Sequence, residues 1–251
     1  MIRKALSLVA SLSLVGAAAG AASPGRMVSF PSGSETASGY LALPDGAGRK
    51  PAIVVIQEWW GLNDFIKHKA DHFAAEGYVA LAPDLYGGQV TADPMKAHEL
   101  SRRPAEHVMR DLKAAVDLLR SRPDVDPARI ASIGWCFGGG YSLDLAFAEA
   151  PPLAGTVMYY GRLNPDRGVI ATLRVPLLGN FGALDQGIPA DSVRAFEERA
   201  KQEGKSVNFK IYPDAGHAFA SSSDPKVYRP EAAKDADARA DEFLARVLKG
   251  K

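Results

Sequence analysis

The chain is 251 residues long, 47% hydrophobic and 24% charged, with a formal charge of +1 at neutral pH. That is ordinary globular composition with enough apolar residues for one sizeable core, and α/β folds of this length often form one domain. The near-neutral balance contains no basic run, so there is no footprint for nucleic acid or an anionic membrane.

The first 23 residues stand apart. Arg3 and Lys4 precede an apolar run from Ala5 to Val15, followed by small residues with A-x-A-like sites between Ala17 and Ser23. This pattern reads as a secretory signal peptide, and the apolar run is too short to span a bilayer. Its removal takes the formal charge to −1 and leaves a single domain over 24–251, exported to the periplasm or beyond the cell. The only cysteine, Cys136, then has no partner for an internal disulfide in an oxidising compartment. Such a thiol is either buried or kept for chemistry.

Beyond the leader, strand-like runs cover Met27–Phe30, Gly39–Leu43 and Ala52–Gln57. Within the third, "AIVVI" is continuously apolar, as expected of a strand covered on both faces. A helix is predicted over Asn63–Glu76, a strand over Tyr78–Ala82, and a helix over Glu106–Arg120, where "VMRDLKAAVDLL" repeats apolar residues at i, i+3, i+4 and i+7. The strand Arg129–Ile133 runs into a helix over Gly138–Glu149. Strands Gly155–Tyr159 and Val175–Asn180 follow, then a helix over Asp191–Glu203, a strand over Val207–Tyr212 and a last helix over Ala232–Lys249. The order predicts an α/β fold, a mostly parallel eight-stranded sheet with helices on both faces, its first two strands forming an antiparallel edge. The link "GRLNPDRGVIATLR" after the sixth strand is too short to hold a cap domain. A site at the strand ends is therefore expected to be open or covered only by loops.

Cys136 sits in "IGWCFGGG", a strand running through a G-x-C-x-G turn into a helix. In G-x-S-x-G enzymes the nucleophile occupies that turn, and glycines two before and two after give it steric room. Here Cys136 replaces the serine, flanked by Gly134 and Gly138, and the helix N-terminus behind it favours a thiolate. A buried cysteine in a glycine-rich bend is the competing reading.

A thiol near its ordinary pKa needs a base. His68 and His72, four apart on a predicted helix, lack a third metal ligand and read as a solvated face. His98 and His107 lie in a charged helical stretch and read as surface residues. His217, in the loop "YPDAGHAF" after the last strand, occupies a strand end, where catalytic groups gather in open α/β sheets. Asp185, in "FGALDQG" beyond the seventh strand, is the candidate to orient the imidazole, with a helix-cap or turn role as its alternative. Asp191 reads as an N-cap, and Asp214 is too close to His217 along one loop. The order Cys136, Asp185, His217 is that of α/β-hydrolases. Glu58 ends an apolar strand, where a carboxylate is costly unless paired; it is either satisfied by backbone amides of the loop or placed to reach Cys136 and modulate its proton. The backbone N–H groups of Trp59 and Phe137 are candidate oxyanion donors, with Trp60, Tyr86 and Tyr160 as candidate pocket residues and the side chains of Trp59, Trp60 and Phe137 as its walls.

"QEWWGLND", "APDLYGG", "IGWCFGGG", "MYYG", "FGALD" and "AGHAF" resemble, in order, the landmarks of the dienelactone hydrolase family over essentially the whole mature chain. The resemblance implies an α/β-hydrolase fold without a cap, no metal or other cofactor, and a Cys136–Asp185–His217 triad. It also implies that Glu58 contacts the thiol and helps raise the thiolate when substrate binds. Two positions where the resembled pattern carries arginines read Gly88 and Ser221 here, which removes bidentate carboxylate recognition. Arg162, Arg102 or Arg103 substitute only if their loops fold over the site. The expected activity is hydrolysis of small activated esters or lactones by a monomer, with a small molecule as its only partner. The alternative is an exported binding or thiol-sensing protein on the same scaffold.

Overall fold

A computed structural model describes residues 24–149, 152–164 and 166–250; the expected signal peptide, 1–23, lies outside them. The strands are β1 (Arg26–Ser32), β2 (Glu35–Ala42), β3 (Lys50–Ile56), β4 (Val79–Pro83), β5 (Val125–Trp135), β6 (Gly155–Tyr159), β7 (Leu177–Gly182) and β8 (Val207–Tyr212). The helices are α1 (Asp64–Ala75), α2 (Pro94–Ser101), α3 (Ala105–Ser121), α4 (Phe137–Ala148), α5 (Arg167–Ala171), α6 (Ala190–Gln202) and α7 (Pro230–Lys249).

All eight strands form one sheet in the order β1-β2-β4-β3-β5-β6-β7-β8. β1 pairs antiparallel with β2, and β2 antiparallel with β4, while every pairing from β4 to β8 is parallel. The sheet is therefore mixed, with the expected N-terminal antiparallel edge. β3 explains why the middle is parallel and covered. Ala52, Val54 and Ile56 pack into the core on one face, and Ile53 and Val55 into the core on the other. Burying each valine or isoleucine stabilises the fold by roughly 1.5–3 kcal/mol.

Helices α3, α4 and α6 supply the first core through residues such as Leu112, Val116, Leu143 and Phe196. α1 and α7 supply the second through Ile66, Phe73, Phe243 and Leu244. Asn63, expected as the first helical residue, is instead the N-cap of α1 and accepts from Ile66 N. Asp191, expected as a cap, sits in the first turn of α6 and pairs with Arg194 at 2.8 Å, because Pro189 occupies the cap position. Among the described residues, the link after β6 holds the one-turn α5 and no cap domain covers the strand ends.

The turn from β5 to α4 leaves no room for side chains at its glycines. A Cβ on Gly134 would fall 2.1 Å from the Gly138 carbonyl oxygen, and one on Gly138 2.4 Å from that of Ile56. Beneath it, Ser132 Oγ meets Ser142 Oγ at 2.8 Å and Thr156 Oγ1 at 3.1 Å, and Ser142 donates to the Val157 carbonyl, so buried hydroxyls tie β5, α4 and β6 together. Gly134→Ala is expected to lower stability by about 1–3 kcal/mol, read as a fall in the urea midpoint at unchanged slope. An unchanged midpoint would show that the turn has slack.

Candidate active site

Four strands present their carboxyl ends to one region, and each delivers one group. Glu58 follows β3, Cys136 follows β5, Asp185 lies three residues past β7, and His217 lies in the loop after β8. Cys136 adopts φ 54° and ψ −114°, a left-handed conformation that a non-glycine residue holds only when its surroundings impose it. They do so here: Cys136 N donates to the Tyr159 carbonyl at 3.0 Å, and Gly140 N donates to the Cys136 carbonyl at 3.1 Å. The half-buried side chain is thereby lifted off the sheet edge.

Cys136 Sγ lies 3.0 Å from His217 Nε2, and His217 Nδ1 lies 2.7 Å from Asp185 Oδ2. The other Asp185 oxygen accepts from Gly187 N at 2.8 Å and Ile188 N at 3.0 Å. The two readings of Asp185 are thus not alternatives, since the turn it closes is what holds its free oxygen toward the imidazole. Tyr160 packs edge-on against His217, ring centroids 5.2 Å apart. Tyr160, at φ 36°, and Ala218, immediately after the histidine at φ 60°, join Cys136 as residues held at positive φ around the site.

The electrostatics follow from burial and these partners. Burial works against a charged His217, yet its hydrogen bonds to Asp185 and Cys136 outweigh it and push the imidazole pKa up to about 10. Burial likewise opposes the Asp185 carboxylate, but His217 and the two turn amides hold its pKa below the usual carboxylate range. Glu58 is the opposite case. It is 1% exposed, and burial drives its pKa up to about 7 against the weaker pull of a Ser221 hydrogen bond and the His217 and Lys69 charges.

Glu58 does not meet the thiol by a hydrogen bond here. Its Oε2 accepts from Ser221 Oγ at 3.0 Å, and Ser221 Oγ in turn meets Ser223 Oγ at 2.8 Å. The sequence marks Ser221 only as a missing arginine; its role as the buried partner of Glu58 emerges from the packing.

A cavity of about 340 Å³ opens over Cys136, lined by Glu58, Trp59, Trp60, His217, Ala218, Ser221, Asp224 and Val227. Trp59 and Trp60 therefore wall it as expected. Phe137 does not: its ring turns away onto Tyr141 and Tyr86, at 4.7 and 5.8 Å between centroids. Tyr86 and Tyr160, expected at the pocket, are buried instead, Tyr86 behind Phe137 and Tyr160 behind His217. Asp224 and Val227 were not singled out in the sequence; no motif marks them, and the fold of the segment after His217 brings them in.

None of the candidate substitute arginines reaches this cavity. Arg162 pairs with Asp144 beside Tyr141. Arg103 bonds the Leu85 carbonyl and Asp111, and with Arg102 it lines a separate cavity of about 560 Å³. The remaining histidines stay outside too: His68, His98 and His107 are exposed, and His72 lies 3.2 Å from Asp241 on α7.

The raised pKa of Glu58 has a signed consequence for stability. Between its unfolded value of 4.5 and about 7, the unfolded chain releases a proton that the folded chain keeps, so rising pH favours unfolding. The stability of Glu58→Gln relative to the parent should therefore rise by about 3 kcal/mol from pH 4.5 to 7 and level off above. Paired urea titrations read this difference, and a flat one would contradict the burial argument.

The sequence pattern of the dienelactone hydrolase family matches residues 37–248. A Methylorubrum extorquens protein bearing the name carboxymethylenebutenolidase is 36% identical over 211 residues, covering 78% of this chain and 72% of its own. An Escherichia coli K12 protein of the same name is 31% identical over 225 residues, covering 82% of this chain and 81% of its own. Among solved structures, a Klebsiella pneumoniae protein described as a dienelactone hydrolase superposes with a TM-score of 0.81 at 28% identity, over 88% of this chain and 98% of the other. A dienelactone hydrolase-like promiscuous phosphotriesterase from metagenomic libraries gives 0.82 at 26% identity, over 91% of this chain and 100% of the other. With that match to sequence and fold, the chain belongs to the dienelactone hydrolase family and is a hydrolase of the carboxymethylenebutenolidase type, acting on esters or lactones.

Proposed function

We propose that the protein hydrolyses small activated carboxylic esters or lactones that carry no anionic group, through a thioacyl-enzyme on Cys136. The observation that carries this reading is the unbroken contact from Cys136 Sγ through His217 to Asp185, at 3.0 and 2.7 Å. His217 takes the thiol proton, and Asp185 stabilises the imidazolium and fixes its tautomer. The thiolate attacks the carbonyl carbon. As the tetrahedral intermediate collapses, the carbon–oxygen bond to the leaving group breaks and His217 returns a proton to that oxygen. A water molecule then attacks the thioester while His217 accepts its proton, and the acid departs as the thiolate is restored.

The Phe137 N–H, first in α4 and therefore without an acceptor inside the helix, and the Trp59 N–H are the proposed donors to the oxyanion. Because a thiolate leaves readily, the intermediate reverts unless the alcohol side leaves at least as easily. That favours enol lactones and aryl esters over amides. Glu58, once released from Ser221, is the group proposed to exchange a proton with the thiol.

The restriction to substrates without an anionic group comes from the cavity lining, where, among the described residues, Glu58 and Asp224 are the acids and no lysine or arginine takes part. A substrate carboxylate there would be desolvated beside two acids, and the one cationic side chain in the lining, His217, is already paired with Asp185. Cys136→Ala is expected to cut p-nitrophenyl acetate turnover by about 10³-fold or more, and full turnover by that variant would remove the proposal. A lactone bearing a free carboxylate should show a lower kcat/KM than its methyl ester; the reverse order would show that a cation reaches the cavity.

A further inference from the structure

The walls of the Cys136 cavity carry a recognition signal of their own. Trp59 and Trp60 stand 4.8 Å apart between centroids with their planes at 59°, forming an aromatic corner rather than a stack. The cations that lie over rings in this protein use Phe65, Trp135, Tyr141, Tyr212, Phe243 and Tyr78, so among the described residues neither indole of the corner carries one. Asp224 lines the same cavity. One of its oxygens accepts from Lys226 N at 2.9 Å, and the carboxylate pairs with no side-chain cation among the described residues. Lys226 and Arg229 line a neighbouring depression, beside Leu184 and Asp185. The Arg229 guanidinium donates there to the carbonyls of Lys226 and Tyr228.

We propose that this pocket selects esters and thioesters whose leaving group carries a quaternary or substituted ammonium, held in the Trp59–Trp60 corner with Asp224 as counter-charge. The proposal names the substrate class of the site and rests on the reading of Cys136 as its nucleophile. Three physical points support it. Indole offers the strongest aromatic face to a cation, and quaternary ammonium groups are recognised chiefly by such aromatic surfaces. An ammonium without N–H donors asks for no hydrogen bonds, which suits an apolar wall better than a polar one. A carboxylate at the edge gives direction to the approach and raises the local concentration of cations. The cavity of about 340 Å³ falls within the range for a small organic ligand.

The test compares acetylthiocholine with S-(3,3-dimethylbutyl) thioacetate, which replaces nitrogen by carbon at the same shape. The expected kcat/KM ratio favours the cation by about tenfold, and Asp224→Asn and Trp60→Leu each reduce that ratio. A ratio of one or below overturns the proposal while leaving ester hydrolysis intact. A second readout does not depend on turnover. Choline should slow iodoacetamide alkylation of Cys136 at concentrations where 3,3-dimethylbutan-1-ol does not, and equal protection by the two overturns the cation site. If neither thioester were hydrolysed, the nucleophile reading would fail, and the protection assay would still decide the cation site.

Discussion

The backbone of Cys136 is held where an L-residue resists going, at φ 54°, and most of the site follows from that constraint. Such a conformation costs about 1–3 kcal/mol and lasts only if the surroundings determine it from several sides. Here β5 fixes the chain before it, α4 fixes the chain after it, and the Tyr159 carbonyl holds its amide. Gly134 and Gly138 let strand and helix approach more closely than any side chain would allow. The result is a thiol raised above the sheet edge at a helix N-terminus, where His217 can meet it from β8.

The rest of the site is distributed so that no single loop has to be rigid alone. Asp185 is fixed by the amides of its own turn, His217 by Asp185 and the Tyr160 ring, and Glu58 by burial and Ser221. The two acids face opposite pressures. Asp185 is paired well enough to remain charged, whereas Glu58 has one hydroxyl hydrogen bond and the weaker pull of the His217 and Lys69 charges, which burial outweighs, raising its pKa to about 7. Two carboxyl groups on one rim thus have different protonation habits, a separation that acid–base chemistry uses.

Much of this was legible in the sequence because each signal was local. Strand β3 announced itself by an unbroken apolar run, β6 and β8 by their bounded β-rich segments, and the nucleophile turn by its glycine spacing. Helix α2 was missed although Asp93 and Pro94 mark its start, since only Ala97 of its residues is buried and no apolar stripe forms. The single-turn α5 is too short to show a period at all. What local reading could not supply was side-chain direction. Phe137 follows the nucleophile directly, and Tyr86 and Tyr160 lie in motifs of the same family pattern, yet their rings pack inward, where aromatic area is best buried. Ser221, by contrast, is 163 residues from Glu58 and becomes its partner only when β3 and the segment after β8 are brought together.

The central claim is that carbon–sulfur bond formation at Cys136 lies on the reaction path. Acid-quenching the protein within the first turnovers of p-nitrophenyl acetate, followed by peptide mass spectrometry, tests it most directly. The account predicts an acetyl group on the peptide containing Cys136, lost on the timescale of turnover. An enzyme that turns over at full rate while that peptide stays unmodified would contradict it.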